Sequence, residues 1–310
     1  KGWFFFVKNT CGCIVKMKNI TEGIMRKRSY TLLILPLVII GLFLISRYQN
    51  REVYEYNSKA VYVYNLTDDR KVTGKNEDEK LAMASLTKMM TVYEALQKIN
   101  DLGAYAPVDT ESYQQLVGEN ASMAGFFGGE MTTYRDLLYG AMLPSGGEAA
   151  DSLAINISGS ELGFVGLMNE RSEEWGLKNT HFQNVDGMDD IGHYSSAKDM
   201  AMLLKYALED GNFRAIFTKK NYLTLPTDHH PEGLYMTSTV FDKLENYDQD
   251  GFEIIGGKSG TTDKAGLCWA TLSVKNGKEY IIVTMGAPYD DIDNPGDGHI
   301  QDTLDILNRL

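Results

Sequence analysis

Apolar positions along the chain fall into one unbroken run, several short β-branched runs and several helical stripes. The stretch Ala60-Val61-Tyr62-Val63-Tyr64 is β-branched and aromatic, and a polar turn at Asp68-Asp69 and a second short run follow it, which predicts a hairpin. Leu86, Met89, Met90, Tyr93 and Leu96 recur at the spacing of one helix face and predict a helix over 85–99. Further helices are predicted over 134–142, 148–157, 161–175 and 197–208. The runs 252–255, 266–274 and 279–285 read as strands, the last two joined by the two-residue turn Asn276-Gly277. Ile300, Leu304, Leu307 and Leu310 mark an amphipathic helix that packs back on the sheet. Strands at both ends with helices between predict an α+β fold, an antiparallel sheet flanked by helices with a helical subdomain.

The unbroken run lies near the N-terminus. No residue between Arg28 and Arg47 is charged, and 30–46 is almost wholly Leu, Ile, Val and Phe. At ~1.5 Å rise per residue this stretch makes roughly 27 Å of helix, close to the thickness of a bilayer's hydrocarbon core. Arg26, Lys27 and Arg28 precede it, so the positive-inside rule keeps the N-terminus cytoplasmic and exports the rest. No small-residue cleavage site directly follows the run, and an uncleaved anchor is expected rather than a removed signal peptide. The expected layout is a cytoplasmic tail over 1–28, a transmembrane helix over 29–46, a linker over 47–59 and a catalytic domain over 60–310. Met25-Arg26-Lys27-Arg28 has the form of a chain start, and 1–24 is assigned no function.

Charge sharpens this division. The net charge of −12 hides eight basic residues and one acid up to Asn50, against 22 basic and 41 acidic residues beyond it. A body of charge −19 would repel phosphate backbones, which excludes nucleic-acid binding. Of three cysteines, Cys11 and Cys13 lie in the N-terminal tail, too few for a zinc site, and Cys268 reads as a small core residue.

Three segments carry candidate chemistry. Ser85-Leu86-Thr87-Lys88 sets a serine and a lysine three residues apart at the start of a helix, where their side chains can meet. A lysine with a lowered pKa can then act as the base that a serine nucleophile needs. Taken alone, the same letters suit an N-cap serine and a solvated lysine. Pro144-Ser145-Gly146-Gly147-Glu148 lies between two helices, where a second serine could relay a proton. Gly256-Gly257-Lys258-Ser259-Gly260-Thr261-Thr262 follows an apolar strand, with glycines that admit a substrate backbone and a cation and hydroxyl for a carboxylate. Each of the last two also reads as a glycine-rich turn.

In this order the three segments resemble the penicillin-recognising acyl-serine enzymes. Their surroundings look like the low-molecular-weight D-alanyl-D-alanine carboxypeptidases: Ala84-Ser85-Leu86-Thr87-Lys88-Met89-Met90-Thr91, Asp136-Leu137-Leu138-Tyr139-Gly140 through Leu143-Pro144-Ser145-Gly146, and Met168-Asn169. Thr180-x-Phe182-x-Asn184, Ser195-Ser196-Ala197-x-Asp199 and the run from Gly257 to Gly266 extend the likeness from about Ala60 onward. The resemblance implies a β-lactamase/transpeptidase-like fold. It implies that Ser85 attacks the carbonyl between two terminal D-alanines with Lys88 as general base, and that Ser145 passes the proton to the leaving amine. Lys258, Ser259, Gly260 and Thr261 would bind substrate, Lys258 and Ser259 taking the terminal carboxylate. The backbone amides of Ser85 and Thr261 would form the oxyanion hole. The substrate would be a peptidoglycan stem peptide ending in D-Ala-D-Ala, β-lactams would inhibit, and no metal or cofactor would take part. The catalytic domain would face outward from the cytoplasmic membrane, anchored by the N-terminal helix. The sequence departs from the family at Gly147, where an asparagine is usual, and has Ser259 for the more usual threonine.

Competing readings are weaker. A Ser-His-Asp hydrolase would use one of His181, His193, His229, His230 or His299, but no Gly-x-Ser-x-Gly elbow is present. A zinc peptidase could use His193 and Asp199, yet the chain has no His-Glu-x-x-His, and His193 reads as a residue that holds a loop. A β-lactamase would need a deacylating carboxylate. A non-catalytic penicillin-binding sensor would release no D-alanine.

Overall fold

The structure, a computed structural model, describes residues 55–289, 291 and 295–310. The chain divides into two units after Glu55, and the second, Tyr56–Leu310, carries the sheet and its helices. The expected tail, the transmembrane helix, the linker up to residue 54, Cys11 and Cys13 lie outside the described residues. Among the described residues no helix is long and apolar enough to cross a membrane.

The chain opens with the expected hairpin, β1 (Ala60–Asn65) and β2 (Arg70–Lys75). A single 3-10 turn, Ala84–Thr87, leads into α1 (Lys88–Lys98). The middle of the chain is mostly helical: β3 (Tyr105–Pro107), α2 (Thr110–Gly118), β4 (Met131–Thr133), α3 (Tyr134–Met142), α4 (Gly147–Ser158), α5 (Glu161–Glu174), α6 (Ala197–Ala207) and α7 (Gly211–Phe217). The small hairpin β5 (Asn221–Leu223) and β6 (Tyr235–Thr237) precedes α8 (Thr239–Leu244). The chain then returns to the sheet through β7 (Phe252–Thr262), β8 (Gly266–Lys275) and β9 (Lys278–Ala287) and closes on α9 (Gly298–Arg309).

Five strands form one antiparallel sheet in the order β2-β1-β9-β8-β7, so the last strands of the chain pair with the first. Both faces are covered, and the period-2 alternation of a strand sorts side chains between them. Ala60, Tyr62, Tyr64, Cys268, Ala270, Leu272, Ile281 and Val283 face the core shared with the middle helices. Val61, Val63, Trp269 and Ile282 face a second core with Leu304 and Leu307 of α9 and Val240 and Leu244 of α8. Asn276 and Gly277 both take positive φ, 51° and 72°, as the two-residue hairpin between twisted strands requires. Cys268 is fully buried, and burial pushes its thiol up to about 12, which suits the expected inert core residue.

Two local features differ from the sequence-based expectation. Ser85 does not start an α-helix: it sits in the 3-10 turn, and α1 begins at Lys88. The segment Gly256–Thr262 does not follow a strand but is part of β7, paired with β8 from Gly256↔Leu272 to Thr262↔Gly266 after a bulge at Ile254. Its glycines mark close packing, not a turn. A Cβ on Gly260 would stand 2.8 Å from the Ser85 amide nitrogen and 2.9 Å from Ala84 Cβ, so only glycine lets β7 lie against the Ser85 turn.

Candidate active site

The 3-10 turn sets the first candidate pair. Side chains three residues apart eclipse in a 3-10 turn, and Lys88 Nζ donates to Ser85 Oγ at 3.1 Å. The turn carries strain, with Ala84 at φ 48°. The loop 184–188 holds it from one side. Asn184 Oδ1 accepts from the Gly187 amide, and Asn184 Nδ2 donates to the Met188 carbonyl. Gly187 has φ 91°, and a Cβ there would come within 2.1 Å of the Ala84 carbonyl oxygen. The same loop turns the Asp186 carbonyl onto Lys88 Nζ at 2.5 Å.

His193 braces the turn from behind. Its Nδ1 accepts from the Gln183 amide at 3.0 Å, which leaves Nε2 protonated and donating to Thr87 Oγ1 at 2.8 Å, and Thr87 Oγ1 donates on to the Ala84 carbonyl. Burial lowers the His193 pKa to about 4, so the neutral ring this chain of bonds needs is the stable form. Asp199 accepts from the Asn179 amide and Thr180 Oγ1. Both candidates for zinc ligation are therefore committed to structure. Among the described residues no three His, Cys, Asp or Glu side chains are grouped so as to hold a metal ion.

A second pair joins residues 113 apart in sequence. Lys258 Nζ donates to Ser145 Oγ and to the Ser259 carbonyl, both at 2.8 Å. Ser145 sits between α3 and α4 at φ 69°, another strained non-glycine residue. Ser259 Oγ shares a 2.7 Å hydrogen bond with Thr239 Oγ1. Glu148, one residue after Gly147, turns inward, and its Oε1 accepts from the amides of Ala124, Gly125 and Phe126, which closes that loop over the Gly146-Gly147 turn.

The electrostatics follow from burial. Lys88 is 3% exposed and Lys258 fully buried. Burial lowers the Lys88 pKa, while the charges of Asp186, Asp151 and Glu148 pull it back up. Lys258 is held well below its usual value by burial and then by the charges of Lys88 and Lys243. An anionic ligand would restore its charge.

Ser85, Lys88 and Thr261 line one cavity of about 380 Å³, with Gly147, Asp186 and Asp189 around them. Ser145, Lys258 and Ser259 are not on that lining. Gly260 brings β7 against the Ser85 amide, as a two-amide oxyanion hole would need. Among the described residues no hydrogen bond joins Lys88 to Ser145 directly, so the site is two pairs, not one chain. Sequence reasoning missed the Asp186 carbonyl, Gly187 and Asp151. Only Gly187 left a local signal, a glycine just past the Asn184 motif.

Comparisons with known proteins give the family. The Peptidase S11 model, described as D-alanyl-D-alanine carboxypeptidase, matches residues 47–289. D-alanyl-D-alanine carboxypeptidase DacF of Bacillus subtilis is 33% identical over 236 residues, 75% of this chain and 58% of that protein. DacC of Escherichia coli is 30% identical over 251 residues, 79% of this chain and 60% of that protein. The chain thus spans less than two thirds of the length of these relatives. The crystal structure of the Streptomyces K15 DD-transpeptidase superposes with a TM-score of 0.71 at 27% identity, covering 82% of this chain and 97% of that one. The motifs, the cleft they build and these likenesses converge, and the chain belongs to the Peptidase S11 family of D-alanyl-D-alanine carboxypeptidases.

Proposed function

We propose that the protein is a serine D-alanyl-D-alanine carboxypeptidase that removes the terminal D-alanine from peptidoglycan stem peptides and is acylated by β-lactams. The observation that carries this reading is the buried Lys88 side-chain nitrogen 3.1 Å from Ser85 Oγ. As the neutral amine favoured by burial, Lys88 takes the hydroxyl proton while Ser85 Oγ attacks the carbonyl of the penultimate D-alanine. The amides of Ser85 and Thr261 receive the developing oxyanion, an effect worth ~3 kcal/mol per donor. Lys258 and Ser259 hold the terminal carboxylate, whose charge favours the lysine cation. Ser145 gives its own proton to the leaving amine and regains one from the Lys258 cation to which it is hydrogen-bonded, while the proton from Ser85 stays on Lys88 until deacylation. The C–N bond breaks, D-alanine departs, and water hydrolyses the Ser85 ester to release the shortened peptide.

We infer further that residues 29–46 anchor the protein in the cytoplasmic membrane with this domain outside, a reading supported by the uncharged run and its basic flank. Recovery of the protein from the medium, cut near Ala60, would contradict it.

The deciding experiment compares wild type and Ser85→Ala for D-alanine release from a D-Ala-D-Ala peptide and for covalent labelling by a fluorescent penicillin. Wild type releases D-alanine and is labelled, and the variant does neither. Labelling of wild type without D-alanine release would make the protein a penicillin-binding sensor.

A further inference from the structure

Between α2 and β4, residues 119–130 form neither helix nor strand, yet Asn120, Ala121 and Ser122 line the catalytic cavity beside Ser85 and Lys88. A segment without regular structure has no ladder to place it, so its backbone groups must be satisfied in some other way. Over 122–126 it is tied to the turn that carries Ser145. The Gly147 amide donates to the Ser122 carbonyl at 2.8 Å. Glu148 Oε1 accepts from three successive amides, those of Ala124 at 2.7 Å, Gly125 at 2.9 Å and Phe126 at 3.3 Å. Successive amides converge on one oxygen where the backbone enters the left-handed region, and Gly125 supplies this with φ 111°.

The sequence is shaped around this clip. Glu148 is fully buried, and burying a carboxylate without partners is costly. Burial pushes its pKa up, and the amides of Gly125, Ala124 and Phe126 hold it down. A Cβ on Gly146 would stand 2.7 Å from the Ala124 amide nitrogen, and one on Gly140 of α3 would stand 2.9 Å from the Phe126 ring. Both glycines let the segment lie directly on the turn and on α3. Ser145, next to Gly146, stands at φ 69° with its hydroxyl on Lys258. A non-glycine residue keeps such a conformation only where its surroundings over-determine it. Lys258 holds the turn from one side, and the clip to 122–126 holds it from the other.

We propose that Glu148 is a positioning residue for the reaction: by gathering three backbone amides on one oxygen it fixes segment 120–126 as a wall of the catalytic cavity and locks the turn that places Ser145. Being fully buried, it acts through these neighbours and not on the substrate. The proposal rests on the carboxypeptidase reading for the step that Ser145 performs. Because Ser145 protonates the departing nitrogen, a displaced turn slows acylation more than it weakens binding.

The test measures the limiting rate of acylation by a penicillin and the concentration that half-saturates it, at the pH where the wild-type rate levels off, with Tm alongside. Glu148→Asp draws the carboxylate back by one methylene, ~1.5 Å. A misplacement of ~1 Å can cost about a hundredfold in rate, so the limiting rate falls at least about tenfold while the half-saturating concentration changes little. Gly125→Ala leaves Glu148 intact but strains the amide cluster, and it slows acylation in the same way. Glu148→Gln keeps an oxygen in place and removes only the charge, and its limiting rate stays within about threefold of wild type. Ile306→Ala, on α9 in the second core, lowers Tm without slowing acylation. Wild-type limiting rates in Glu148→Asp and Gly125→Ala overturn the positioning role. So does a Glu148→Gln variant as slow as Glu148→Asp, or equal slowing by Ile306→Ala. Wild-type acylation without D-alanine release leaves this comparison standing and overturns the carboxypeptidase reading alone.

Discussion

Replacing Gly147 by asparagine puts back the side chain that the family motif usually carries two residues after Ser145, and the structure shows how much room it would find. Gly147 opens α4, and its amide donates to the Ser122 carbonyl at 2.8 Å. A Cβ there would meet Leu116 Cδ1 at 3.1 Å and Cδ2 at 3.3 Å, with Ser122 O at 3.5 Å. The leucine must therefore give by a few tenths of an ångström. It can, because no other buried side chain of α2 has to move with Leu116. Overpacking of this kind costs ~1 kcal/mol at the low end of its range, or a Tm lower by about 2–4 °C in a domain of this size. Against it stands one new amide facing the catalytic cavity, worth ~0.5–1.5 kcal/mol net and so at most about tenfold in rate. Gly147→Asn should therefore change kcat/KM for D-alanine release by no more than about tenfold and lower Tm by a few degrees. In a Leu116→Ala background the Tm penalty should vanish. A silent wild type alongside an active Gly147→Asn would refute the reasoning and make the natural protein a degenerate binder.

Two predictions concern protons. The acylation rate should rise with pH through the pKa of Lys88, and since the Asp186 charge raises that pKa, Asp186→Asn should move the midpoint to lower pH; a shift to higher pH would refute Lys88 as the base. His193 titrates near 4 in the folded state against 6.5 for the free group, so between these values only the unfolded chain takes up its proton, and stability falls as pH falls. The full loss is ~3 kcal/mol, reached below pH ~4. Urea midpoints followed from pH 7.5 to 4 should fall less steeply for His193→Gln than for wild type, and equal slopes would contradict a ring held neutral by burial.

Much of this architecture is written locally. The hairpin at Asn276-Gly277, the strand alternation of β1, β8 and β9 and the stripe along α1 follow from turn chemistry and period, which neighbouring residues set. Ser85 and Lys88 were legible for the same reason, because any helical turn joins positions three apart. Helices α2, α7 and α8 were not, since α2 buries only Leu116 and α7 and α8 are seven and six residues long, too little for a periodic signal. The strand character of Gly256–Thr262 was hidden because its glycines carry no β preference; pairing with β8 and the press of the Ser85 turn make it a strand. Tertiary structure alone brought Lys258 to Ser145, the Asp186 carbonyl to Lys88, and His193 to Thr87. It alone buried Asp151 among carboxylates without a partner. Residue type and spacing determine which groups can react, but burial sets their charge, and burial depends on packing between segments about a hundred residues apart that no local pattern records.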